Sequence, residues 1–391
     1  MRNIVGQTAT GKDFYPRPQI IKKIYRRLDS GSDIFMAAPR RVGKTSIMLH
    51  LQDEPKSNYD FVYIITESAK NPEEYFKRLL TEMLRSKAIS KLAKTKENTK
   101  GLILEIIDRI GSIEVPGFKM ELNDKEESVS FYEQFEKLLT KLNPEKRRIV
   151  IMVDEFPTTI ENIKKEKGED AAQTFLQQNR ELRQKAHENI QFIYTGSIGL
   201  PLVVKKIMTL NVIADLNIIE VPPLSLEQAK DMVTKLLNFN EVKYDEEVIE
   251  YLLKKLEWYI PFHIQLIVQE LIDVYDVSGY VKIDSVDKAF MQLLHTRNDT
   301  YFNHYYSRLK DSFQNKNEYT FALEVLKSLA NNDYLDISAL EKIAEKHNIE
   351  SDYNTVIDSL IFDGYIDFSI DKNKYSFNSQ LLKKWWANKN L

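Results

Sequence analysis

The chain has 391 residues, with 55 Lys and Arg against 58 Asp and Glu, 43% hydrophobic residues and no Cys. A net charge of −3 gives no global pull toward nucleic acid, and the absence of Cys excludes disulfides and thiolate metal sites while fitting a reducing cytoplasm. No apolar run approaches the roughly 18 residues a membrane helix needs, and Met1 to Thr8 contain no apolar signal core. A soluble cytoplasmic protein of several domains, without a membrane partner, is expected.

Gly6, Gly11, Pro16 and Pro18 punctuate a turn-rich start. Helical spacing begins at Gln19, with Ile20, Ile21, Ile24, Tyr25 and Leu28 on one face. A short apolar run from Ile34 to Ala37 then enters the turn Ala38-Pro39-Arg40-Arg41-Val42-Gly43, and Lys44-Thr45-Ser46 opens a second helix. This is the layout of a phosphate-binding loop between a buried strand and a helix. Backbone N–H groups and the helix N-terminus cradle a phosphate, Lys44 reaches the β and γ oxygens of a nucleotide, and the Thr45 hydroxyl ligates Mg²⁺. The loop pattern asks for Gly where Ala38 stands; that Gly relieves the turn, whereas Lys44 and Thr45 meet the ligand.

Residues 61–66 predict a second strand, and Asn71 with Pro72 caps a helix that runs to about Ala93. A polar connector over 91–100, a short helix at 102–110 and a hairpin about Pro116-Gly117 follow; 95–125 has the character of an insertion. After a helix at 128–142, the continuous apolar run 149–153 predicts a central parallel strand, with Asp154 and Glu155 at its C-terminal end, the edge where open parallel sheets bind ligands. Asp154 would hold Mg²⁺, and Glu155 would orient and deprotonate an attacking water. A polar segment at 164–170 precedes a helix and a further strand, 191–197, ending in Thr195-Gly196-Ser197. Thr195 or Ser197 either senses a γ-phosphate or belongs to a helix-capping turn. A fifth strand starts at Asn217, and the alternation of strands and helices argues for an α/β domain over 1–222 with a largely parallel sheet.

From 223 to 315 the pattern is helical, a small lid, with Ser225 as a cap and the helical pattern continuing over 285–309. Over 316–391 three helices precede two short strands and a last helix, the winged helix-turn-helix order.

With these pieces together, the chain resembles the archaeal-type ATPases of the STAND class, a branch of the AAA+ P-loop fold. Thr10 to Arg17 is similar to that family's F-x-G-R-E motif, with Pro16 and Pro18 for its Gly and Glu. Ala38 to Thr45 is similar to its G-P-R-R-x-G-K-T loop, in which the arginine pair is typical. Asp154-Glu155 matches the acidic pair, Thr195-Gly196-Ser197 the small polar triplet, and Tyr259-Ile260-Pro261 the G-x-P motif with Tyr for Gly. The resemblance covers about residues 4–310, and a C-terminal winged helix is usual there. It implies a core sheet ordered 5-1-4-3-2 and ATP bound between core and lid, with Phe14 and Arg17 beside the adenine and Pro261 touching the nucleotide. Ala38, Pro39, Arg40, Arg41, Val42, Gly43, Lys44, Thr45 and Ser46 would surround the phosphates.

Three functions compete. The first is a switch that binds and slowly hydrolyses ATP, closing the lid to expose a surface for a protein partner or effector, or for nucleotide-dependent self-assembly. Arg40 and Arg41 would then stabilise transition-state charge beside Lys44 and Glu155, or pair with acids. The second is a DNA-binding AAA+ ATPase of the initiator type. It is disfavoured because the expected recognition helix, 351–363, carries Asp352, Asp358 and Asp363 and no base, and no Arg follows Arg308. The third is a nucleotide-bound scaffold that never hydrolyses, suggested by the replaced glycines.

Overall fold

A computed structural model describes residues 1–110, 129–197, 199–313 and 315–389. The strands are β1 (Ile34–Ala37), β2 (Tyr59–Ile65), β3 (Arg148–Asp154), β4 (Ile190–Thr195), β5 (Asn217–Glu220), β6 (Leu335–Asp336), β7 (Ile366–Ser369) and β8 (Lys374–Phe377). The chain divides into two compact units. One comprises Pro16–Ala37 and Lys44–Val221, the other Met1–Tyr15, Ala38–Gly43 and Pro222–Leu391.

The first unit, here the sheet unit, is an α/β structure whose five strands run in the order β2-β3-β4-β1-β5, every pair parallel. This is the sheet order the family resemblance implied, counted from the other edge. Parallel neighbours need crossover connections, so consecutive strands are separated by helices such as Lys44–Asp53 and Pro72–Arg85. The central strand is apolar because both its faces are covered: Ile149, Val150, Ile151, Met152 and Val153 are all fully buried. Each such side chain contributes about 1.5–3 kcal/mol of burial, so the strand end that carries Asp154 is held rigidly. A cluster of aromatic rings packs beside it, with Tyr75 and Phe175 4.7 Å apart and Phe156 and Tyr194 4.5 Å apart.

Three local expectations need correction. The helix expected to end near Ala93 is two helices, Pro72–Arg85 and Lys87–Thr95, broken at Ser86, whose side chain accepts from the Ile89 N–H. The expected connector at 91–100 is mostly helical, because Ile89, Leu92 and Ala93, then Ile103, Ile106 and Ile107, are buried at helical spacing. The polar segment at 164–170 is also helical but for one turn. Gly168, at φ 91°, separates Phe156–Lys167 from Glu169–Lys185, and Lys164 pairs with Glu169 across the break. The expected hairpin about Pro116-Gly117, and most of the insertion holding it, lie outside the described residues.

The second unit, here the helical unit, packs the helices Leu226–Phe239, Glu247–Leu256, Pro261–Ser278 and Ile283–Leu293 with those of the C-terminal segment. Ser225 and Gln228 form the capping box of the first. The helical pattern expected over 285–309 is met by Ile283–Leu293, a 3-10 turn at Thr296–Tyr301 and Asn303–Ser312. The C-terminal segment runs Lys316–Asn331, β6, Ile337–His347, Tyr353–Phe362, β7, β8 and Gln380–Asn388, and its sheet is antiparallel in the order β6-β8-β7. One apolar core runs through the whole unit, from Leu224 to Trp386. Phe302 stacks on Trp385 at 5.6 Å, and the Tyr365 hydroxyl donates to the Tyr305 carbonyl at 2.5 Å. No helix among the described residues is long and apolar enough to cross a membrane.

Candidate functional site

The residues picked out from the sequence fall into two groups, one in each unit. In the sheet unit, Lys44 and Thr45 are the first residues of the helix Lys44–Asp53, and Lys44 is only 7% exposed. Thr45 Oγ1 donates to Asp154 Oδ2 at 2.9 Å. The loop helix and the end of β3 are thereby joined through the two groups expected to hold a metal. Thr195 Oγ1 donates to the other carboxylate oxygen, Oδ1, which also accepts from the Glu155 N–H at 3.1 Å. Glu155 stands in the left-handed region, at φ 58° and ψ 35°, where a non-glycine residue is uncommon. Its Oε2 accepts from the Ser197 N–H at 3.1 Å, the Ser197 hydroxyl at 2.9 Å and the Thr158 hydroxyl at 3.1 Å. Thr45, Asp154, Glu155, Thr195 and Ser197 thus form one hydrogen-bonded array, with Ser46 the next residue of the loop helix. Arg17, by contrast, is buried at the N-terminal end of the helix Pro18–Asp29, where its carbonyl accepts from the Ile21 N–H.

Several members of the array have no sequence motif. The Tyr63 hydroxyl donates to Asp154 Oδ2 at 2.8 Å, the same oxygen that Thr45 uses. Burial and the Asp154 charge push the Tyr63 phenol well above its ordinary range, so it stays a donor. The Thr66 N–H and hydroxyl both donate to the Asp154 carbonyl, at 3.2 and 3.0 Å, and Thr159 Oγ1 donates to the Thr66 carbonyl at 2.9 Å. Tyr63 is discoverable in principle. Ile65 pairs with Asp154 in the parallel register, and strand alternation puts Tyr63 on the same face.

One hydroxyl and one carboxylate in contact at a strand end make a suitable donor set for Mg²⁺, which takes few protein ligands and completes its shell with water and nucleotide phosphates. Thr45 and Asp154 therefore fit that ion. Among the described residues no group of three or more His, Cys, Asp and Glu forms a metal cluster.

In the helical unit lie Phe14, Pro261 and the tip of the phosphate-loop segment, Ala38 to Gly43. The positive φ angles of the loop fall at Arg41 (66°) and Gly43 (97°), and not at Ala38, so a methyl group at 38 meets no left-handed strain. Ala38 and Val42 are buried. Arg41 stacks its guanidinium 3.9 Å from the centroid of Phe262, the residue after Pro261, which opens the helix Pro261–Ser278. Burial pulls the Arg41 guanidinium below its ordinary range. His263 and His304 are held neutral, at about 3 and about 2, first by burial and then by the charge of Arg41, joined at His304 by Arg40. Phe14 is buried after a 3-10 turn whose Asp13 pairs with Arg2, while Asn3 donates to the Gln265 carbonyl and Tyr15 to Asp231.

No family model matches the chain, and no curated protein matches it. Among solved structures, the Walker-type ATPase of Pyrococcus abyssi superposes with a TM-score of 0.67 at 15% identity, over 99% of each chain. The ORC2 protein of Aeropyrum pernix, in its ADPNP–ADP complexes, gives 0.56 at 12% identity over 97% of this chain and 95% of that one. At such identities the likeness is one of fold: the chain has the α/β fold of these two proteins, built on a parallel five-stranded sheet with helical regions beside it.

Proposed function

We propose that this protein binds ATP with Mg²⁺, hydrolyses it slowly, and acts as a STAND-type switch. Nucleotide state is relayed by the lid (223–315) and winged helix (316–391) to a protein partner or to self-assembly. The observation that carries this reading is the hydrogen bond from Thr45 to Asp154, which joins the start of the loop helix to the acidic end of β3. The fold shared with a Walker-type ATPase, and with a protein seen in ADPNP–ADP complexes, supports it.

In this reading the loop N–H groups and the Lys44 ammonium hold the β and γ phosphate oxygens. Bound Mg²⁺, held by Thr45 and Asp154, neutralises phosphate charge. Glu155 takes a proton from the attacking water, and Arg40 or Arg41 meets the charge that develops on the transferred group. Thr195 or Ser197 senses the γ-phosphate from the end of β4. Glu155 Oε2 already accepts three hydrogen bonds, so that oxygen must shed a donor before it can meet the attacking water, which favours slow turnover. The helix Tyr353–Phe362 carries Asp358 and no cation, which weighs against DNA as the partner.

Phosphate release at saturating ATP tests the reading. Glu155→Gln is expected to lower the rate by about 10²–10⁴ while ATP still binds. Equal release by both proteins sinks the claim of hydrolysis. With ATP, Glu155→Gln should also differ from the ADP form in oligomeric state or in hydrogen exchange of the helix Pro261–Ser278. Identical behaviour rules out the switch.

A further inference from the structure

Arginine and histidine side chains gather around the tip of the loop in the helical unit, close enough to act on one another and on Tyr365. The loop tip supplies Arg40 and Arg41. The helix Asn303–Ser312 supplies His304 and Arg308, four residues apart and therefore on one face. Pro39 meets Gly364, where an added Cβ would lie 2.9 Å from the Pro39 Cβ and 2.8 Å from Trp258 Cη2. The neighbours of these two residues are brought together by that contact: Arg40 on one side, Asp363 and Tyr365 on the other. Arg40 and Arg308 both lie close enough to Tyr365 to act on its phenol.

Arg308 is 5% exposed, and its Nε and Nη2 have no hydrogen-bond partner. Asp363 Oδ2 stands 3.6 Å from that Nε, within ion-pair range but beyond a hydrogen bond, and it also accepts from Ser312 at 3.3 Å. Arg40 Nε is likewise buried without a hydrogen-bond partner, and neither buried ring nitrogen of His304 makes a well-formed hydrogen bond, although the Tyr301 carbonyl lies near enough to act on the imidazole. His263 faces the same cluster but is engaged at 3.4–3.5 Å with Ser379 and Tyr305. Among the described residues, Asp363 is the carboxylate within ion-pair range of Arg308.

We propose that Arg40, Arg308 and His304 form a site for a phosphate group. A guanidinium presents forked N–H donors that match phosphate oxygens, and a neutral imidazole adds one donor. The phosphate is either the terminal one of a nucleoside triphosphate on the loop, which rests on the ATP reading above, or a separate inorganic phosphate, which does not. Filling the site draws Arg308 away from Asp363, the residue before Gly364 and two before Tyr365. The change therefore enters the turn that leads into β7, and the C-terminal sheet reads whether the phosphate is present.

Calorimetry on the full chain with Mg-ATPγS and Mg-ADP, and thermal melts with and without millimolar inorganic phosphate, test this site. Arg308→Ala should weaken ATPγS by about tenfold or more and leave ADP within about twofold, and Asp363→Asn should shift ATPγS the opposite way. If the phosphate is separate, Arg308→Ala instead abolishes a phosphate-induced rise in Tm and leaves the ATPγS to ADP ratio unchanged. Arg308→Lys, which keeps the charge and loses the fork, should move in the same direction and serves if the alanine variant does not fold. A folded Arg308 variant that keeps both the ATPγS to ADP ratio and any phosphate shift of the wild type overturns the proposal. A wild type that binds neither nucleotide, yet shows a phosphate shift lost in Arg308→Ala, sinks the ATP reading and keeps this site.

Discussion

The acidic end of β3 and the loop tip at 38–43 bury charge in opposite ways. Asp154 receives donors on both carboxylate oxygens, from Thr45, Tyr63, Thr195 and the Glu155 N–H, and Thr66 covers its carbonyl. The arginines near Gly364 have donors that no acceptor meets, and the histidines beside them stay uncharged. A buried polar group without a partner costs about 1–3 kcal/mol, so the first arrangement is stable as it stands and the second is under electrostatic load. The pre-formed group suits fixed chemistry, whereas the loaded one responds to whatever changes its charge. Acid, metal and single hydroxyl deletions should therefore affect the two regions differently.

The largest expected effect is on stability in acid. His263 and His304 have folded pKa values of about 3 and about 2, depressed by burial and then by the arginines, against about 6.5 in an unfolded chain. Below pH 6.5 the unfolded chain takes up protons that the folded histidines refuse. The stability these groups contribute is thus full above pH 6.5 and is lost as pH falls toward 3. The pair removes up to about 2.7 kcal/mol per pH unit. Melting temperature should fall steeply from pH 6.5 to 4.5, and His304→Phe should roughly halve that slope while leaving the melt at pH 7.5 little changed. An unaltered slope in His304→Phe would show that the loop-tip region carries no such load.

The sheet unit was the more legible part of the chain, for a physical reason. A strand covered on both faces must be apolar throughout, so residues 149–153 announce β3, and the acids that follow can only stand at its edge. The loop announces itself by Gly43, whose φ of 97° suits no other residue as well. Tyr63 was missed because an aromatic residue in a strand looks like packing until the register with β3 is known. The arginine cluster was missed because its members come from residues 40, 304, 308 and 363 and meet through a contact between Pro39 and Gly364. No local period records such a meeting. The helical boundaries at 86 and 168 were blurred because lysine-rich stretches hide buried residues at helical spacing.

A metal-dependent test comes next in size. Tyr63→Phe deletes one donor to Asp154 Oδ2 and leaves Thr45 in place. Groups that orient a metal ligand typically contribute 10–100-fold to metal affinity or activity. The Mg²⁺ concentration for half-maximal nucleotide binding should rise by about tenfold, with metal-free nucleotide binding and the melting curve nearly unchanged. If metal dependence is unaltered, Tyr63 merely packs against the strand end, and the pre-formed character of that region rests on Thr45 and Thr195 alone.

The smallest effect is predicted for Thr158→Ala, which removes one of three donors to Glu155 Oε2. A neutral hydrogen bond contributes about 0.5–1.5 kcal/mol net, and about 1–3 kcal/mol is lost only when its partner is left stranded. Here Ser197 still supplies two donors to the same oxygen, so the carboxylate remains satisfied and the lower end of the first range applies. Melting should shift by no more than about 0.5 kcal/mol in equivalent stability, and turnover should rise slightly if at all, because one fewer donor competes with the attacking water for that oxygen. The same change made in an under-supplied region would cost several times more. A large destabilisation in Thr158→Ala would therefore place Glu155 among the loaded groups, and the contrast between the two regions would then hold for Asp154 only.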